Sequence, residues 1–363
     1  MKMVIRRKNI FKKKKKRVLK KLIKRKFTKK LNKKRIYSIL LIKLIITMIL
    51  SFLIYKVYTF IEKYKYCYEC IEKKKDKDSK CLECPNEILF KNLYIASREK
   101  TLYEIIKYNK SISRYGDGEI AMIFGAGLSF QGRDNNLGKR LSEVINSNET
   151  NLLIGLFFPY QKKEMDTFLN SSQKFWINYL YDNKFRTLNL LKKRKYYSAA
   201  ISRFYSHLKD KSKAYKYISK LKKIWEGRDV LLIEGEKTRF GIGNDLLNNA
   251  KSIKRILCPT RNAFYFYDKI LNAALKVDKS YLILISLGPT ATILAHYLTK
   301  HGYQAIDIGH ADIQYELFLK NATKHFQIPY KFVNEYDEGR NEHSLVDAPD
   351  KKYYDQIIEK ILH

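Results

Sequence analysis

The first 36 residues contain no Asp or Glu, although 20 Lys and Arg stand there. No apolar run after the one at residues 36–55 approaches eighteen residues, so everything beyond it is expected to be soluble. The chain has no GxxxxGK loop followed by Ser or Thr, no HExxH and no GxSxG. Those absences argue against a P-loop nucleotide hydrolase, an HExxH metalloprotease and a serine hydrolase of the nucleophile-elbow type. No stretch interleaves aromatic and basic residues as a nucleic-acid recognition motif does, so nucleic acid is not expected as a partner. No repeat of fixed period is present. The formal charge of +37 also says less than its size suggests. Taking the 20 tail bases from the 73 Lys and Arg leaves 53 against 36 acids, scattered through a sequence rich in Lys, Ile, Asn and Tyr. Charge of that kind does not by itself designate a polyanion partner.

What is there begins with IYSILLIKLIITMILSFLIY, residues 36–55, whose one charge is Lys43 near its end. At about 1.5 Å per residue such a helix covers roughly 30 Å of hydrocarbon. Tyr37, Tyr55 and Tyr58 stand where interfacial aromatics are favoured, and the basic flank places the N-terminus in the cytosol. The run is too long for a signal peptide, and no small-residue cleavage site follows it. The expectation is a single-pass type II membrane protein. It has a basic cytosolic tail over 1–36, a transmembrane helix over 37–61 and a soluble part in the Golgi or ER lumen or otherwise extracytoplasmic. Four of five cysteines then follow as CYEC (Cys67, Cys70) and CLEC (Cys81, Cys84), in a stalk over 62–89. Two C-x2-C knuckles suit either a small tetrahedral zinc site or, in an oxidising lumen, disulfides. Cys258, in an apolar run, reads as an inert buried thiol. Four N-x-S/T sequons, at Asn109, Asn148, Asn170 and Asn321, are compatible with a luminal domain.

From residue 90 the chain alternates short apolar runs with amphipathic ones. Strands are expected at 111–115, 151–158, 196–202, 229–235, 252–259, 280–288 and 304–309. Helices are expected near 136–146, 164–182, 212–224, 244–250, 263–276 and 290–301. Several strand runs are apolar throughout, as in strands covered on both faces, which predicts a doubly wound, mostly parallel, Rossmann-like α/β sheet. Such sheets bind ligands beyond the carboxyl ends of their strands. Polar residues gather there in RYGDGE, EGEKTRFGIGND, GPTAT and DIGHADIQYE. In the second loop, Gly241 and Gly243 lead into an expected helix and could offer amides to a phosphate, or form a plain turn. The third glycine of the dinucleotide fingerprint is absent, Leu246 standing in its place. Gly288, Pro289 and Thr290 make a helix start that is both a good cap and a phosphate seat. In the first loop, Asp117 and Glu119 flank one glycine. They either hold a hard divalent cation or cap the helix that follows.

Taken together, SRYGDGEIAMIFGAGLSFQGRD, EGEKTRFGIGNDLL, ILCPTRNAF, LISLGPTATILAHYL and GYQAIDIGHADIQYELF resemble the GT-D-fold glycosyltransferases over residues 90–335. The resemblance implies a GT-D-type catalytic domain over 90–340, with a C-terminal tail over 341–363. It implies that Asp117 and Glu119 bind Mn2+ or Mg2+ and a nucleotide sugar. It places Arg114, Gln131, Arg203, Thr238, Arg239 and Asn244 among the substrate-binding residues, with Gly241, Gly243, Gly288 and Thr290 at the phosphates. Asp312 is then the first candidate for general base and His310 the second. The glutamate expected before the tyrosine is replaced by Gln314, which turns attention to Asp312 and Glu316. The expected activity is metal-dependent transfer of a sugar, a hexosyl group, from a UDP-linked donor to a hydroxyl of a glycan or glycoprotein acceptor. A membrane-anchored protein that binds sugar nucleotide or glycan without turnover is the alternative.

Overall fold

The computed structural model describes residues 40–56, 93–334, 345–348 and 351–362. The chain divides into two compact units, Met1–Cys81 and Leu82–His363. In the first, residues 40–56 form a helix whose apolar side chains, Leu41, Ile46 and Phe52 among them, are exposed. Among the described residues no helix is long and apolar enough to cross a membrane. The rest of the expected span, 37–39 and 57–61, lies outside the described residues, as do the basic tail and Cys67, Cys70, Cys81 and Cys84.

The second unit is built on strands β1 (Tyr94–Ile95), β2 (Ser111–Tyr115), β3 (Leu152–Leu156), β4 (Lys195–Ser198), β5 (Asp229–Gly235), β6 (Ser252–Cys258), β7 (Leu282–Ser286), β8 (Gln304–Asp307) and β9 (Ile357–Lys360). They form one sheet in the order β1-β4-β3-β2-β8-β7-β5-β6-β9, with every pairing parallel. The longer helices are α1 (Arg98–Tyr108), α2 (Asp117–Ile123), α3 (Asn135–Ile145), α4 (Asn170–Leu190), α5 (Ala214–Leu221), α6 (Tyr267–Ala274), α7 (Pro289–Lys300) and α8 (Ala311–Leu319). Successive residues of a strand point to opposite faces. Leu231 and Ile233 of β5 and Ile283 and Ile285 of β7 therefore enter one core cluster. Their neighbours Val230, Leu232, Leu282 and Leu284 enter the other. Burial on both faces is why these runs are continuously apolar.

All seven expected strands form, β2 and β5 at the expected bounds and the others ending earlier than expected. The run at 196–202 leaves the sheet after Ser198, whose Oγ accepts from the Ala200 amide at 3.2 Å and caps a 3-10 turn over Ala199–Ser202. The expected helix at 244–250 does not form, and the segment is a series of turns. Its backbone groups find other partners than a helix ladder: Asn244 Oδ1 accepts from the Leu246 amide within the segment, and Trp225 Nε1 donates to the Leu246 carbonyl from outside it. The helix expected at 164–182 is split between Lys162–Met165 and α4. Between them the Leu169 amide donates to the His207 carbonyl, and the Lys209 amide to the Thr167 carbonyl. Ile357–Lys360, in the segment read as a tail, pairs with β6.

Candidate active site

At the carboxyl ends of β2, β5, β7 and β8 the sheet opens into a cavity of about 720 Å³. Arg114, Asp117 and Glu119 line it from β2 and the start of α2, and Thr238 from the loop after β5. Gly288 lines it from the turn after β7; Asp307, His310 and Asp312 line it from β8 and the start of α8. Phe175 and Trp176 of α4, Arg203 and His207 also line it.

Asp117 and Glu119 thus face one cavity, and part of the capping reading also holds. Gly116 is the N-cap of α2, and Glu119 Oε2 accepts from its amide at 2.8 Å. Burial pushes the Glu119 carboxyl above the usual carboxylate range, against the pull of the Gly116 amide, and the neighbouring charges of Asp307 and Asp117 push the same way. Among the described residues no group of three or more His, Cys, Asp or Glu gathers as a ready-made metal cage. A hard dication needs no such cage when one or two carboxylates hold it and substrate phosphates complete its shell. The pair suits that arrangement, and added positive charge would relieve the crowding of acids around Glu119.

Arg114 is not a loose cation. Its Nε and Nη2 donate to the Asp307 carbonyl at 2.7 Å and to Asp307 Oδ1 at 2.8 Å, and its Nη1 donates to Ser202 Oγ at 2.5 Å. Asp307, buried and raised above the usual carboxylate range by that burial, is countered by this guanidinium. The ion pair knits the ends of β2 and β8 together.

Gln131, Arg203, Thr238, Gly288, His310 and Asp312 lie on the cavity wall as the sequence suggests. Arg239, Gly241, Gly243, Asn244, Thr290 and Glu316 do not line it. Arg239 Nη1 donates instead to the Tyr330 and Val346 carbonyls at 2.9 and 2.6 Å, which joins two loops. Gly241 and Gly243 have φ of +73° and +76°. A Cβ on them would overlap Leu247 and the Tyr330 hydroxyl, so they serve turns and close packing rather than a helix start. Thr290 is fully buried in the first turn of α7. Asn244 Nδ2 donates to Asp312 Oδ1 at 2.8 Å and to Glu316 Oε1 at 2.7 Å. Lys331 Nζ donates to Asp312 Oδ2 at 2.7 Å and to Glu316 Oε1 at 2.8 Å. Both Asp312 oxygens therefore already accept hydrogen bonds, one from Asn244 and one from Lys331, which is 0% exposed, and His310 lines the cavity beside it.

A family model described as Glycosyltransferase GT-D fold matches residues 112–336. The chain belongs to the GT-D glycosyltransferase family. It is 34% identical over 275 residues to a Streptococcus gordonii protein named probable glycosyl transferase Gly, covering 75% of this chain and 39% of that one. It is 34% identical over 284 residues to glycosyltransferase GlyD of Streptococcus pneumoniae serotype 4, covering 78% of this chain and 34% of the relative. The chain thus spans two fifths or less of the length of these relatives. Among solved structures it resembles domain of unknown function 1792, described as having a distinct glycosyltransferase fold. The TM-score is 0.72 at 35% identity, covering 76% of this chain and 98% of that one. A glycosyltransferase of the same domain type from Streptococcus sanguinis gives a TM-score of 0.70 at 32% identity, covering 74% and 99%.

In this GT-D domain several residues of the site escape a reading by motif. Gln314, where a glutamate was expected, is fully buried; its Oε1 accepts from the Tyr205 and Ser206 amides at 3.0 and 2.8 Å. That clamp fixes the segment that brings Ser206 and His207 to the wall. Asp307 and Lys331 are joined to their partners only by the fold. The aromatic wall could have been suspected from KFWINYLY, where Phe175, Trp176 and Tyr179 recur at helical spacing.

Proposed function

We propose that this chain transfers a sugar from a nucleotide diphosphate donor, UDP-linked, to a hydroxyl of a glycan or glycoprotein acceptor. The observation that carries the reading is the meeting of Asp117, Glu119, the Gly288 turn and His310 around one cavity at the strand ends of a GT-D domain. Asp117 and Glu119 would hold Mn2+ or Mg2+, which when bound supplies positive charge against the leaving diphosphate. The start of α7 after Gly288 would offer backbone N–H groups to an anion. Arg203 on the wall takes the charge-stabilising role that Arg239, tied to two carbonyls, does not fill. The His310 imidazole receives the acceptor's proton, and the Lys331-held Asp312 fixes the start of the helix that His310 caps. The same proposal anchors the domain to a membrane through 37–61 and sets it on the luminal or extracytoplasmic side. The apolar run and the basic flank support that topology.

The test is release of nucleotide by the purified full chain from a panel of nucleotide sugars, with and without Mn2+. The wild-type chain should turn over one donor class only with the cation present. Asp117→Asn should lose about 10²–10³-fold in rate, the size seen when one charge-stabilising group is removed, with unchanged folding by circular dichroism. Turnover by that variant equal to wild type would refute the metal role. Donor binding without any turnover would favour the non-catalytic reading.

A further inference from the structure

Gln131 is 2% exposed and lines the cavity, yet its Nε2 is a buried donor with no hydrogen-bond partner in the protein. Its orientation is settled by its other end: Oε1 accepts from the Phe264 amide at 3.3 Å, so flipping the group would set an NH2 against a backbone N–H. The side chain therefore presents donor hydrogens only. Native proteins rarely leave a buried amide donor unmet, and a bound ligand is one of the explanations when they do.

Its surroundings say which part of a ligand it meets. Residues 128–131 form a tight turn in which the Leu128 amide donates to the Gln131 carbonyl at 2.8 Å and the Gln131 amide to the Leu128 carbonyl at 3.2 Å. That turn is wedged between two walls of the cavity. Leu128 packs over Gly118 of the acidic turn, where an added Cβ would come within 3.2 Å of its Cδ1. Phe130 covers Gly288 at the start of α7, where an added Cβ would come within 2.7 Å of its ring. Asn262, also on the cavity lining, holds the turn, its amide donating to the Phe130 carbonyl at 2.9 Å and its Oδ1 accepting from the Gly132 amide at 2.8 Å. An aromatic ring and a lone edge donor stand together on a rigid turn, next to both loops that suit a diphosphate. A stacked heterocycle with a carbonyl on its edge fits that combination.

Building on the nucleotide-sugar reading above, we propose that Gln131 reads the nucleobase of the donor. Its Nε2 donates to the carbonyl at position 4 of a uracil ring lying against Phe130, so that uridine is selected over cytidine, which carries an amino group there. The amide acts as a specificity residue and takes no part in the chemical step.

The experiment is calorimetric titration of the full chain with UDP and with CDP in the presence of Mn2+, on wild type, Gln131→Leu and Gln131→Glu. Wild type should bind UDP at least about 10-fold more tightly than CDP, a comparison that needs no variant. Gln131→Leu should lose about 3–10-fold in affinity for UDP, the worth of one hydrogen bond, and little for CDP. Gln131→Glu, which offers an acceptor in place of the donor, should bring the two nucleotides level or invert their order. Equal wild-type affinities, or variants that weaken UDP and CDP alike, overturn the assignment and leave the nucleotide-sugar reading standing. A UDP preference unchanged in both variants does the same. A wild-type chain that binds neither nucleotide overturns both.

Discussion

Gly309 follows β8 with φ at +47°, and a Cβ on it would overlap the Nη2 of Arg114. A surface arginine would swing aside. Arg114 cannot, because Asp307, the Ala199 carbonyl and Ser202 hold its guanidinium on every nitrogen. Substituting Gly309→Ala therefore pits one methyl group against a buried ion pair. If Arg114 is expelled, Asp307 is left as an uncompensated buried charge, a loss of about 3–5 kcal/mol. Gly302 offers the control: its φ is +88°, but the nearest atom to an added Cβ is the Lys279 Nζ at 3.9 Å. Gly302→Ala should lose only about 1–2 kcal/mol, the conformational part alone. Urea unfolding of both variants decides it. Equal losses would mean that backbone strain accounts for Gly309 and that the contact with Arg114 does not matter. The same contacts commit every nitrogen of the Arg114 guanidinium to the protein at the edge of the cavity.

At the scale of elements, the neighbouring strands β5 and β6 carry a second buried pair. Glu234 Oε1 meets Arg255 Nη1, Glu234 Oε2 accepts from the Phe240 amide at 2.7 Å, and Arg255 also donates to the Phe240 carbonyl and to Gln356 Oε1. The pair ties the loop after β5, which brings Thr238 to the cavity, to the segment just before β9. Burial lifts the Glu234 carboxyl above its ordinary value, and Arg255 restrains it. Arg255→Met removes the restraint, so the folded variant holds a proton that the unfolded chain gives up. Stability should then be closest to wild type in acid and fall as pH rises past the ordinary glutamate range. The deficit should reach about 3–5 kcal/mol near neutrality, read from urea midpoints at acid and neutral pH. A deficit that does not change with pH would show that Glu234 is not its source. How the elements themselves could be foreseen follows from burial. Strands buried on both faces, such as β3 and β7, announce themselves as apolar runs, whereas Tyr94–Ile95 is too short and Ile357–Lys360 alternates exposed and half-buried residues in a lysine-rich setting. Spacing also finds the strand-end loops without saying which side of a loop faces the cavity. Asn244 and Glu316 stand behind the wall beside residues that form it. Lys331 was hidden differently, as one lysine in a chain with 73 Lys and Arg.

At the scale of the whole molecule, the proposed membrane attachment has two possible sources in the first unit, the basic tail and the apolar run, and they respond differently to salt. Twenty tail bases would draw the chain to an anionic surface at about 1 kcal/mol for each Lys or Arg near it. That attraction is screened over roughly 3 Å in about 1 M salt and so vanishes on washing. An inserted apolar run is indifferent to salt, because its free energy comes from removing hydrocarbon from water. The proposed anchor at 37–61 therefore predicts that membranes bearing the full chain keep it through a wash in about 1 M salt and then through alkaline carbonate. The helix over 40–56 supplies the variant: Ile45 and Ile46 lie near its middle, both exposed. A double change to Asp there adds about 5–7 kcal/mol to insertion on a translocon scale, enough to move the chain into the carbonate supernatant with its tail intact. Release of the unaltered chain by salt alone would make the tail the attachment, and the type II topology would fall with the anchor.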